Sequence, residues 1–163
     1  METTNPKHYQ YVAAGIHLAT FGKWIFPLGN FIFPIIVWIV NGKKSGFVDR
    51  HGREAINFQI SLTLYTIILA FIGGGIIIGS AISGGPVFWE AMDDGNFFPE
   101  NAGTLTTIAA SGLICGSLIV ILAVTDLICT ILAAIKASEG EEYHYPITIN
   151  FLHQPIQEPT KKD

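Results

Sequence analysis

Apolar residues in this chain are gathered into long blocks rather than set at the spacing of an amphipathic helix, and short polar stretches divide the blocks. From Tyr9 to Val40 the only formal charge is Lys23, and Pro27-Leu28-Gly29-Asn30 interrupts the run. The pattern predicts a hairpin of two short helices, near Pro6 to Ile25 and Gly29 to Val40, with a kink at Pro34. Each is at or below the roughly twenty residues that cross a bilayer core, so full crossing, local thinning and a re-entrant geometry all stay open.

Asn41-Gly42-Lys43-Lys44-Ser45-Gly46 reads as a polar turn, and Asp49 to Glu54 as a charged link. Ile56 to Ile82 then runs without a formal charge and is long enough to cross with tilt. Gly84-Gly85-Pro86 stops it. The following stretch, with Trp89, Glu90, Asp93, Asp94, Phe97 and Phe98, predicts an acidic external loop with an aromatic rim, a surface for a partner. Leu105 to Ile135 forms a last span broken only by Asp126. The predicted fold class is an all-α membrane protein with four transmembrane helices, one domain over residues 1–152 and a flexible polar tail over 153–163.

Charge sets the orientation. Lys43, Lys44, Arg50 and Arg53 lie between the second and third helices, whereas Ser83 to Thr104 has neither Lys nor Arg. Four spans then place both termini in the cytoplasm of a cell whose inner membrane holds the chain as a multi-pass protein. Lys23 is the exception, at the far tip of the first hairpin, where its stem would let it snorkel to headgroups.

Composition fits that picture: half of the 163 residues are hydrophobic and 13% charged, against about a quarter charged in soluble domains. A net charge of -4 without a basic cluster excludes a nucleic-acid partner. Cys115 and Cys129 sit in one apolar block, too far apart along a helix to bridge. The N-terminus lacks a basic region and a cleavage site, and is expected to be retained.

Several pieces, in order, resemble a known family: Ala14-Gly15-Ile16-His17-Leu18, Phe26-Pro27-Leu28-Gly29-Asn30, Phe47-Val48-Asp49, His51-Gly52-Arg53-Glu54-Ala55-Ile56-Asn57-Phe58-Gln59-Ile60-Ser61, and Ala133-Ala134-Ile135-Lys136-Ala137 through Tyr145-Pro146. They are similar to a bacterial domain-of-unknown-function family of small four-helix membrane proteins. That family resembles the twenty-kilodalton-class, Tic-twenty-like component of the chloroplast inner-envelope translocon. The resemblance covers Tyr9 to Leu152 and implies four membrane helices, no catalytic site, and protein transport by analogy.

Polar residues inside apolar blocks are the candidates for chemistry. An acid such as Asp126 costs about 2.5 to 3.5 kcal/mol in a span and needs a partner. Counted from the basic ends, Asp126, His17 and Thr63 each lie about ten residues in, or about 15 Å deep, with Gln59 a turn shallower. They predict a mid-membrane cluster of His17, Gln59, Thr63 and Asp126, with Asp126 protonated or paired with His17, acting as a proton or ion relay or as a structural lock.

His51, Arg53, Glu54 and Asn57 form a helix-entry motif that fits a substrate or lipid-headgroup site, or a headgroup anchor. Gly75 with Gly79 and Gly112 with Gly116 make G-x-x-x-G patterns suited to packing of the last two helices or to dimerisation. Tyr143 to Phe151 alternates, predicting a strand-like or irregular piece on the membrane surface or on a partner. Asp93-Asp94-Gly95-Asn96 lacks EF-hand spacing. No nucleophile, metal or phosphate-loop motif is present, so neither enzyme activity, a metal nor a cofactor is expected.

Two function classes follow. One is an accessory or assembly subunit of a larger membrane complex, bound to lipid and other membrane-protein subunits, in protein insertion or export. The other is a small channel or transporter using the polar cluster.

Overall fold

The computed structural model describes residues 6–83, 93 and 102–153. Among them are the α-helices α1 (Pro6–Ala19), α2 (Gly29–Asn41), α3 (Gly46–Ser83) and α4 (Ala102–Glu139). No strand occurs among the described residues.

Pro6 opens α1, where its missing N–H costs nothing and its fixed φ suits a first turn. The helix tightens into a 3-10 turn, Thr20–Trp24, in which Thr20 Oγ1 donates to the His17 carbonyl at 2.7 Å. The chain then reverses through Leu28, at φ 67°. Here the glycines are obligatory: a Cβ on Gly29 would lie 2.3 Å from the Gly22 carbonyl oxygen, so the two arms of the hairpin touch backbone to backbone. α2 carries Pro34 in its interior, buried.

The charged stretch expected to be a link is helical instead. Ser45 has extended backbone, its side chain accepts from the Val48 N–H at 3.4 Å and its carbonyl from the Asp49 N–H at 3.0 Å, and Asp49 adds a favourable charge to the first turn. α3 therefore starts at Gly46, well before the apolar run. α4 ends in a Schellman arrangement: Gly140 at φ +85°, its N–H on the Ala137 carbonyl at 3.1 Å, and the Glu141 N–H on the Lys136 carbonyl at 2.9 Å.

The described residues fall into two compact units, 6–62 with 126–153, and 63–83 with 102–125. In the first, Ala13, Ala14, Ala55, Ala134 and Ala137 pack with Ile16 and Val48, so helices meet through small side chains. Tyr9, Val12, Val37, Trp38 and Phe47 close this core. The second unit is two apolar helical segments whose large side chains face outward, with Phe71 78%, Ile82 73% and Leu113 72% exposed. Surfaces of that kind are stable only under lipid or a partner.

Candidate functional site: a buried polar network

The first unit is held together by polar groups buried between its elements. Asp126 of α4 is 3% exposed. One carboxylate oxygen accepts from Gln59 Nε2 of α3 at 2.8 Å and from Thr130 Oγ1, one turn along α4, at 3.3 Å. The other oxygen is ion-paired with Lys23 from the hairpin tip. Asn30, which opens α2, donates to Gln59 Oε1 at 3.0 Å. A buried carboxylate surrounded in this way loses little of its hydration free energy, because every lone-pair direction used faces a donor.

Lys23 thus occupies the place expected for His17, and it turns inward rather than toward headgroups. The reason is length: α1 with its 3-10 turn carries the chain from Pro6 to Lys23, deep enough to reach Asp126, which lies ten residues from Lys136. His17 is engaged elsewhere. Its Nε2 lies 2.8 Å from His51 Nδ1 and its Nδ1 lies 2.8 Å from the Tyr145 hydroxyl, with His17 wholly buried and His51 2% exposed. Because α3 starts at Gly46, His51 lies inside the packed unit rather than in a surface link.

Tyr145 reaches this pair from the segment after α4. It stacks on Phe58 at 4.0 Å between ring centroids and 15° between planes. Burial holds its hydroxyl above the ordinary phenol range, opposed by the Thr130 hydroxyl beside it. Tyr143, edge-on to Tyr145, is pushed up to about 12, first by burial and then by the Cys129 thiol. Two hydrogen-bonded series of polar side chains result, one of Lys23, Asp126 and Thr130, the other of Tyr145, His17 and His51. His51 Nε2, at the end of the second series, is buried and faces the backbone of Glu141.

The alternating segment after α4 is irregular and docks on α3 of its own unit. Asn57 Nδ2 donates to the Leu152 carbonyl at 3.1 Å while its Oδ1 accepts from the Leu152 N–H at 2.8 Å. Ser61 Oγ accepts from the Ile149 N–H at 2.9 Å. Arg53 donates to the His153 carbonyl at 3.1 Å, His144 meets Glu54 at 3.0 Å, and Arg50 pairs with Glu142. At the start of α3, Asp49 accepts from Trp38 Nε1 and Arg53 Nε, both at 2.9 Å, and the Arg53 guanidinium lies over the Trp38 ring at 5.5 Å. The helix-entry motif of His51, Arg53, Glu54 and Asn57 is therefore engaged by the chain's own C-terminal segment, which alternation by itself did not reveal.

Other predicted residues stand apart. Thr63 falls in the second unit, half-buried. Among the described residues, nothing lies within 4 Å of a Cβ built at Gly75, Gly79, Gly112 or Gly116, whereas one at Gly73 would lie 3.1 Å from Cys115 Sγ. Of the partner-facing loop, Trp89, Glu90, Asp94, Phe97 and Phe98 lie outside the described residues, and Asp93 is exposed. Sequence reasoning missed Asn30, Thr130 and Tyr145; the polar residue one turn from Asp126 was the available signal for Thr130. Among the described residues, no group of three His, Cys, Asp or Glu is placed to hold a metal ion.

The model of the MamF/MmsF family, described as the magnetosome magnetite crystal formation protein family, matches residues 9–152. No curated protein and no solved structure matches the chain. The match overturns the expected kinship with the chloroplast translocon component, and with it the argument for protein insertion or export. The pieces that carried that resemblance are, physically, a glycine-tipped hairpin and the buried His and amide contacts of a small helical bundle; they report packing and do not distinguish one activity from another. With α3 and α4 each long and apolar enough to cross a bilayer, the matched chain is a membrane protein.

Proposed function

Since the chain belongs to the magnetosome magnetite crystal formation protein family, we propose that it is a multi-pass accessory subunit of the membrane in which magnetite crystals form, acting by binding and assembly rather than by catalysis. The family match over residues 9–152 carries this reading. Outward apolar side chains on both long helices support lateral contacts within the bilayer. The polar network supports a role as a structural scaffold.

Lengths and charges support one topology. α3 and α4, at 38 residues each, are about 57 Å long and cross the bilayer. α1 and α2, at 14 and 13 residues, are about 20 Å long against a hydrocarbon core of about 30 Å. Their hairpin enters from the cytoplasmic side and returns to it. Both termini then stay cytoplasmic, together with Lys43 and Lys44.

Deleting the gene in its host and imaging the crystals by electron microscopy tests the role. Smaller, fewer or misshapen crystals, restored by the wild-type chain, are expected, together with a stoichiometric membrane partner on purification in mild detergent. Unchanged crystals and a solitary particle would refute it.

A further inference from the structure

The contacts of the segment after α4 step along α3 and then back again. Glu142 meets Arg50, His144 meets Glu54, Tyr145 stacks on Phe58, and the Ile149 N–H reaches Ser61. Leu152 and His153 then return to Asn57 and Arg53. From Arg53 to Ser61 is eight residues of α3, about 12 Å, less than half of a hydrocarbon core of about 30 Å. Charge stands at the start of the excursion, at Glu142 and Arg50, and at its return to Arg53, while Tyr145 to Leu152 carries none. The chain turns at Ile147, whose φ of 56° is one that a β-branched residue rarely adopts. Beyond Tyr145, which faces inward, Ile147, Ile149 and Phe151 are all exposed.

We propose that residues 142–153 form a re-entrant loop embedded in the cytoplasmic leaflet, with Ile147, Ile149 and Phe151 seated among lipid acyl chains. The loop rests on the cytoplasmic placement of Arg50 and Arg53 in the topology proposed for the chain. Two observations favour lipid as the partner. Irregular backbone enters hydrocarbon only where its polar groups are bonded within the protein. Here Ser61 accepts from the Ile149 N–H, Asn57 takes both the N–H and the carbonyl of Leu152, and the Phe151 N–H lies 3.0 Å from the Ile149 carbonyl. Asn57 and Ser61, two polar residues in an apolar stretch of α3, thereby serve the backbone of the loop. The second observation is continuity. In the same unit Ile131, Leu132 and Ile135 of α4, between Asp126 and Lys136, are exposed as well, so the loop lies at the depth of a helix face that itself needs lipid.

Spin labels on single cysteines test this in the full chain, reconstituted in vesicles of phosphatidylcholine and phosphatidylglycerol, with Cys115 and Cys129 replaced by alanine. Ile147→Cys and Ile149→Cys report the loop, Ile131→Cys the lipid-facing side of α4, and Lys44→Cys the aqueous side. Oxygen concentrates among acyl chains and a water-soluble nickel chelate does not, so the ratio of their collision rates with the label reads its surroundings. Positions 147 and 149 are expected to show the high oxygen and low nickel access of position 131, the reverse of position 44. Nickel access at 147 and 149 equal to that at 44, with 131 still shielded, overturns the loop and leaves the two long spans standing. Shielding of 147 and 149 from both reagents would place protein over them and overturns lipid as the partner. Nickel access at 131 as well would remove the bilayer arrangement itself, and the loop with it.

Discussion

Lys23 and Asp126 are far apart in sequence, and each would be costly in an apolar setting by itself. Paired, they leave no uncompensated charge; separated, the buried carboxylate stands alone. Lys23→Ala should therefore cost about 3 kcal/mol, read as a loss of thermal stability in detergent. The double change Lys23→Met with Asp126→Leu should recover most of it, since apolar side chains of similar volume avoid the desolvation cost altogether. An equal loss in single and double variants would show that the pair does not act as a pair.

Tyr145 and Tyr143 give the residue scale a pH signature. Burial raises both hydroxyls above the value they have in the unfolded chain. The stabilising contribution is then fully present below about pH 10, the ordinary phenol value, and is lost as pH rises above it, because unfolding releases the protons that the folded state retains. Unfolding temperatures measured across the alkaline range should fall steeply in the wild-type chain, and less so in Tyr145→Phe.

At the scale of elements, the decisive feature is where α3 begins. The charges of Asp49, Arg50, Arg53 and Glu54 looked like a link because they precede an apolar run, yet Asp49 and Arg53 are one turn apart and bond each other, while Arg50 and Glu54 meet Glu142 and His144. Starting the helix at Gly46 rotates His51 into the interior, and that rotation gives His17 its partner. Helix boundaries of this kind depend on a Ser45 cap and on a C-terminal segment that arrives from the far end of the chain, so pattern alone could not fix them. Asn57 is the main clasp of that segment. Asn57→Ala should accelerate hydrogen exchange at the Leu152 amide, and Ser61→Ala at the Ile149 amide; unaltered exchange would mean the segment is held by its aromatic contacts alone. Gly140→Ala combines a left-handed backbone with a clash against Gln10, so a loss of about 1–3 kcal/mol is expected, only partly relieved by Gln10→Ala.

For the molecule as a whole, the helical class, the hairpin, the two long apolar helices and the isolated Asp126 were legible, because apolar block length and charge spacing report directly on burial in lipid. The partners of Asp126 were only half legible. Counting depth from the basic ends brought Gln59 to it, but the count treated every helix as starting at the same level, and so preferred His17 to Lys23. Tyr145 was invisible because an aromatic in an alternating segment looks the same whether it lies on a surface or is inserted beneath one. Family membership, in turn, came from the whole of residues 9–152 and from no single motif.

The membrane arrangement can be tested with single cysteines introduced at Leu28, Lys44 and Glu90 and probed with an impermeant thiol reagent from each side, Cys115 and Cys129 having been replaced by alanine. The hairpin geometry and the charge distribution predict that position 44 labels only from the cytoplasm, position 90 only from the opposite side, and position 28 from neither. Labelling of 44 and 90 from one side, or of 28 from the side opposite the cytoplasm, would contradict the arrangement on which the buried network depends.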